Sequence, residues 1–115
     1  MTNQPSPYSQ ITVTELAERL SEPNLQMIDV REPEELAIAQ LTGFVNLPLS
    51  EFALWSNEIR SRFDANAETI VLCHHGIRSA QMCSWLHQQG FSHVRNVVGG
   101  IEEYAARVDA SVPRY

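Results

Sequence analysis

From residue 11 onward the chain alternates short apolar runs with stretches of helical periodicity, and no other feature limits its fold so strongly. A nearly unbroken apolar run such as "LQMIDV" (25–30), ending in a carboxylate, suits a strand covered on both faces, and "ETIVLC" (68–73) is a further strand candidate. Helices between successive strands suit parallel pairing, so the expected class is α/β with a mainly parallel sheet. Ile11 and Val13 mark a first strand, residues 25–30 a second, "GFVNLPL" (43–49) a third stopped by Pro48, residues 68–73 a fourth and "HVRNVVGG" (93–100) a fifth. Thr14 is the expected N-cap of a helix bearing Leu16, Ala17 and Leu20, and Pro33 opens "EPEELAIA" (32–39) with acids in its first turn. Ser50 is expected to cap a helix carrying Phe52, Leu54, Trp55 and Ile59. Residues 79–89 form the next, ended by Gly90, and Ile101, Tyr104, Ala105 and Val108 mark the last.

The 115 residues are enough for one core, so a single domain over 10–115 is expected behind a mobile tail at 1–9. The N-terminal "MTNQPSPYSQ" has neither the positive start nor the apolar centre of a signal peptide, and no apolar run is long enough to span a bilayer, so a cytoplasmic location is expected. The basic side consists of eight arginines and no lysine, against fourteen acids, for a formal charge of −6. That balance argues against nucleic acid as a partner. Two cysteines, Cys73 and Cys83, make no disulfide framework and are judged singly.

"VLCHHGIRSAQ" (71–81) reads as strand, tight turn and helix, with Cys73 at the carboxyl end of the strand. In an open parallel sheet that edge is where ligands bind. The peptide N–H groups of 74–78 precede or begin the helix and are free to face an anion, and Gly76 permits the positive φ that curls them into a nest. Amides, helix dipole and the guanidinium of Arg78 together favour a thiolate, so the sulfur is expected to be nucleophilic at neutral pH. Four residues separate Cys73 from Arg78. Phosphatases that use a cysteine in an amide cradle have a loop one residue longer, sized for a tetrahedral phosphate. The shorter loop suits a smaller group, such as one sulfur atom carried on the cysteine.

These residues resemble the rhodanese-like sulfurtransferases in their single-domain form. "MIDVREPEEL" (27–36), "LTGFVNLPLSEF" (41–52), "VLCHHGIRSA" (71–80) and "NVVGGIEEY" (96–104) are each similar to a segment of that family. The resemblance implies a five-stranded parallel sheet with helices on both faces and Cys73 as the catalytic nucleophile. It further implies a thiolate that takes the outer sulfur of a donor such as thiosulfate, becomes a persulfide and passes the sulfur to a thiophilic acceptor. The loop residues His74, His75, Gly76, Ile77 and Arg78 would bind the donor, with Asp29, Arg31 and Ser79 in support. No cofactor and no metal are implied. Two departures stand out: Ala39 and Gln40 occupy the place where the family often has Gly-His, and Tyr104 replaces a frequent tryptophan. "VDASVPRY" (108–115) is similar to the end of rhodanese domains fused to enzymes that activate sulfur-carrier proteins, which makes a carrier or persulfidated protein a candidate partner.

Blander readings stand beside these. Cys83 shares a helical stripe with Ala80 and Leu86 and reads as an inert core residue. His74 and His75 are adjacent and do not converge naturally on zinc with Cys73; shaping the pocket mouth and adding charge when protonated suits them better than zinc, and stands level with their being solvated loop residues with no role. Asp29 and Arg31 are expected to tie the end of the second strand to the neighbouring loops by a salt bridge or hydrogen bonds, a reading favoured over direct substrate contact. For Arg78 an electrostatic role toward an anionic donor is favoured over bracing the loop. The alternatives to a sulfurtransferase are a non-catalytic binding or regulatory module and, on the same scaffold, a phosphatase or arsenate reductase.

Overall fold

The structure is a computed structural model, and it describes residues 7–115. Five parallel strands form one sheet: β1 (Ser9–Ile11), β2 (Gln26–Asp29), β3 (Val45–Asn46), β4 (Thr69–Leu72) and β5 (Val94–Val97), in the order β1-β5-β4-β2-β3. The alternation of side chains along the strands divides the core in two. Ile28, Val30, Val71 and Cys73 face one side, with Trp55, Ile59, Met82, Cys83 and Leu86. Met27, Ile70 and Leu72 face the other, with Leu16, Ile101 and Tyr104. Helices thus cover both faces: α3 (Phe52–Trp55), α4 (Ile59–Arg62) and α5 (Ile77–Gln88) on the first, α1 (Val13–Arg19) and α6 (Gly100–Arg107) on the second, while the short α2 (Pro33–Ile38) runs between β2 and β3.

The ends of elements differ from expectation in instructive ways. Val13 belongs to α1 instead of β1, and the N-cap is Thr12, not Thr14. Thr12 Oγ1 accepts from Glu15 N–H at 3.1 Å while Glu15 returns a bond to Thr12 N–H at 3.1 Å. This reciprocal box needs an acid three residues on, which Thr12 has and Thr14 lacks. Ser50 caps no helix; it lies in a 3-10 turn (Leu49–Glu51), and its hydroxyl donates to the Glu32 carboxylate. The helix expected from Phe52 to Ile59 is interrupted by a second 3-10 turn at Ser56–Glu58. The third strand shrinks to two residues at the sheet edge. Of the tail expected at 1–9, residues 1–6 lie outside the described residues; Tyr8 packs against the core and Ser9 opens β1.

Candidate active site

Strand pairing brings the chemistry to one edge. β4 lies between β2 and β5, with Leu72 opposite Asp29 and Val71 opposite Asn96, so Cys73 emerges between the carboxyl ends of its two neighbours. The backbone then turns through Gly76, whose φ of +101° is left-handed and which serves as N-cap of α5. In this turn Gly76 N–H donates to Cys73 Sγ at 3.0 Å, and Ser79 Oγ lies 3.2 Å from the same sulfur.

The loop is braced from behind by the start of α6. Ile101 N–H donates to Cys73 C=O at 2.9 Å and Glu102 N–H to His74 C=O at 3.1 Å, so amides that begin a helix without internal partners are satisfied by the loop. Gly100 makes this approach possible, because a Cβ there would run into the His74 and Cys73 carbonyl oxygens. Asn96 supplies a further brace: its Nδ2 donates to Gly76 C=O at 3.1 Å, and its Oδ1 accepts from Ser79 Oγ at 2.5 Å.

The two arginines have different surroundings. Arg31 is fully buried, and its guanidinium meets both oxygens of Asp29, with Nη2 to Oδ2 at 2.7 Å and Nε to Oδ1 at 3.0 Å. Burial works against its charge, but the hydrogen bonds to Asp29 and to the Tyr115 hydroxyl outweigh that and hold its proton more firmly than usual. Asn46 Nδ2 ties the same corner by donating to the Asp29 and Arg31 carbonyls at 2.9 and 2.8 Å. The expected structural tie at the end of the second strand is thus made mainly between Asp29 and Arg31 themselves.

Arg78 does not stand free to face an anion. Its Nη1 and Nη2 meet the two oxygens of Glu35 at 2.7 and 2.9 Å, a bidentate pair. Glu35 is in turn held down to about 2, mainly by Arg78, against the opposing effect of burial and with help from the Glu32 N–H and the Tyr115 hydroxyl. The Tyr115 hydroxyl links the two ion pairs: Arg31 Nη1 donates to it at 2.8 Å, and it donates to Glu35 Oε1 at 3.0 Å.

Tyr115 also stacks on His74 with ring centroids 3.9 Å apart, and His74 lies against His75 at 3.9 Å. His74 Nε2 is buried with no hydrogen-bond partner among the described residues. Burial, then the charges of His75 and Arg78, push His74 below the usual histidine range. Ile77 is largely exposed at the start of α5.

Cys73 is 1% exposed and belongs to the apolar cluster on its face of the sheet, although Gly76 and Ser79 give its sulfur polar company. Cys83, one of the two free thiols, is fully buried on α5, where burial and the nearby Cys73 push it up to about 12.

Gly76 and Ser79 meet the Cys73 sulfur; His74, His75, Ile77 and Arg78 lie in the same turn or at the start of α5 without a hydrogen bond to it among the described residues, and Asp29 and Arg31 lie at the end of the neighbouring strand. Three participants were not legible beforehand. Glu35 is one of several acids opening α2, and Tyr115 lies 84 residues from Arg31, in an end segment whose resemblance says nothing of that contact. Asn96 sits beside Arg95 between the valines of β5, and nothing local marks it as the buried one of the two.

Comparison with known proteins agrees with this geometry. The rhodanese-like domain family matches residues 12–107. A chloroplastic protein of Arabidopsis thaliana, Rhodanese-like/PpiC domain-containing protein 12, is 43% identical over 113 residues, covering 95% of this chain and 38% of that protein. The chain thus spans well under half the length of this relative. A sulfurtransferase of Allochromatium vinosum is 30% identical over 98 residues, covering 84% of this chain and 88% of the relative. The crystal structure of a rhodanese-related protein from Thermoplasma volcanium superimposes with a TM-score of 0.72 at 31% identity, covering 88% of this chain and 94% of that one. The likeness runs from the cap of α1 through the cysteine turn to the end of α6, and on that extent the chain belongs to the rhodanese-like domain family.

Proposed function

We propose that the protein is a sulfurtransferase that carries a sulfane sulfur as a persulfide on Cys73. The observation that carries the reading is the cysteine turn itself, with Gly76 N–H aimed at Sγ from 3.0 Å inside a loop that closes at Arg78. The Cys73 thiolate attacks the outer sulfur of thiosulfate, the S–S bond of the donor breaks, and sulfite leaves with the bonding pair. An acceptor thiolate or cyanide then attacks the outer sulfur of the persulfide and returns the Cys73 thiolate. Two half-reactions through a covalent intermediate give ping-pong kinetics. Peptide N–H groups in the turn favour both anionic states of the sulfur. A persulfidated or sulfur-carrier protein is the proposed cellular partner, and the cytoplasmic location expected from the sequence belongs to this proposal; among the described residues no helix is long and apolar enough to cross a membrane.

One observation favours a binding module without turnover: the 1% exposure of Cys73. A single assay separates the two readings. Incubation with thiosulfate, then with a low-molecular-weight persulfide, is expected to add one sulfur by intact mass. Cys73→Ser is expected to abolish both the adduct and thiocyanate formation. Wild-type protein that gains no sulfur from either donor refutes the transferase reading and leaves the binding module. Phosphatase chemistry is disfavoured because Arg78, the residue that would clamp a phosphate, is already committed to Glu35.

A further inference from the structure

Beneath the cysteine runs a chain of three polar groups whose proton directions are fixed by the outermost link. Asn96 Nδ2 can only donate, and at 3.1 Å it faces the Gly76 carbonyl, which can only accept. The amide orientation is thereby set, and Oδ1 is the atom turned toward Ser79. At 2.5 Å from Ser79 Oγ, that oxygen takes the single hydroxyl proton. Ser79 then has only lone pairs to present to Cys73 Sγ at 3.2 Å, and this contact is a hydrogen bond only when the sulfur is protonated and donates. Ser79 is fully buried and Asn96 nearly so, which leaves water little room to relieve the arrangement.

Ionising the thiol reverses the requirement. A thiolate needs donors, and an oxygen lone pair held at this distance repels it. The hydroxyl can answer by rotating about its C–O bond, giving up Asn96 and donating to sulfur; the thiol proton leaves to solvent and no other bond is made or broken. A persulfide makes the same demand, since its inner sulfur carries no proton.

We propose that Asn96 is a positioning residue for Cys73: by holding the Ser79 hydroxyl proton it favours the resting thiol, and formation of the thiolate or persulfide requires that hydroxyl to swing from Asn96 to sulfur. The proposal rests on Cys73 being the reacting group in the function above. A hydrogen bond to a charged sulfur is stronger than the neutral one it replaces, so the swing accompanies ionisation but gives up the Asn96 bond. Gly76 N–H already donates to the sulfur at 3.0 Å, Arg78 with its partner Glu35 and Cys83 on α5 feel its charge, His74 follows it in the turn, and the Asp29–Arg31 pair closes the end of the neighbouring β2; the test leaves all of them in place.

The test is the pH titration of Cys73 by ultraviolet thiolate absorbance, each variant differenced against its own Cys73→Ala partner, with folding checked by circular dichroism. Asn96→Ala frees the Ser79 hydroxyl, and the midpoint is expected to fall by about half to one pH unit, the worth of one neutral hydrogen bond. Ser79→Ala removes the donor, and the midpoint is expected to rise. In the double variant the Asn96 effect is expected to vanish, leaving the Ser79→Ala value. An Asn96→Ala midpoint that is unmoved or raised overturns the proposal. So does an equal Asn96 effect with and without Ser79, which would place its influence in the Gly76 carbonyl instead.

Should Asn96→Ala fail to fold, the side-chain amide resonances of Asn96 in the wild type decide: they are expected to follow the Cys73 titration, and to stop following it in Ser79→Ala. Resonances that ignore the titration overturn the proposal. Because absorbance reads the thiol without sulfur transfer, failure of every donor to load the protein leaves this result intact, and loading with an unmoved midpoint sinks only the role of Asn96.

Discussion

Replacing Glu35 with glutamine tests the reading of the two linked ion pairs most directly. The carboxylate is mostly buried and takes two hydrogen bonds from Arg78, one from the Tyr115 hydroxyl and one from the Glu32 N–H. These partners hold it down to about 2 from an ordinary 4.5, with Arg78 the first cause. A carboxylate lowered in the folded state stabilises that state above its unfolded value and loses the stabilisation as pH falls through the folded value. Full linkage over such an interval would exceed 3 kcal/mol, by roughly 1.4 kcal/mol per unit, but Arg78 is about a third exposed and water screens the pair. About 1–2 kcal/mol is the expected loss for Glu35→Gln near neutral pH. Urea unfolding curves of wild type and variant provide the assay, run near neutral pH and again at steps below 4.5. The gap is expected to narrow continuously with acid. Equal stability at neutral pH, or a gap that survives strong acid unchanged, would refute the assignment of this pair. The same variant frees the Arg78 charge, so KM for an anionic sulfur donor is expected to fall, a change read by initial rates.

Arg31→Met strands the Asp29 carboxylate in a fully buried corner and is expected to cost about 3–5 kcal/mol, seen as a large drop in Tm; a loss below about 1 kcal/mol would contradict the geometry. Gly100→Ala places a Cβ against the Cys73 and His74 carbonyls at a positive φ of +63°, so a loss of about 1–3 kcal/mol in denaturant unfolding is expected together with slower sulfur loading. Cys83, buried and pushed up to about 12, is expected to stay unlabelled by thiol reagents in native protein near neutral pH, and Cys83→Ala is expected to load sulfur as the wild type does. Labelling of Cys83 without unfolding would count against its core placement.

The sheet was legible because strands covered on both faces carry nearly continuous apolar runs, as the segments around β2 and β4 do, whereas β5 sets Arg95 and Asn96 between its valines. Edge elements were harder: β3 keeps only two paired residues, and the segment after Pro48 alternates short 3-10 and α turns that one helical period cannot describe. The first helix was misplaced by two residues because Thr12 and Thr14 offer the same hydroxyl, and only the spacing to Glu15 distinguishes them. At the site, Cys73 and Gly76 could be read from local order because the turn is made by consecutive residues. Glu35, Asn96 and Tyr115 could not, since each meets the turn or its arginines through tertiary packing. Arg78 shows the limit of reading charge from sequence: its neighbour in space decides whether it attracts a ligand or completes an ion pair.

The docking of α6 onto the cysteine turn has a kinetic corollary. Two amides at the head of that helix are closed by carbonyls of the turn, so neither element can fray without opening the other. Deuterium uptake at Ile101 and Glu102 is therefore expected to follow opening of the cysteine turn, which couples the head of the final helix to that turn instead of leaving it a loose appendage.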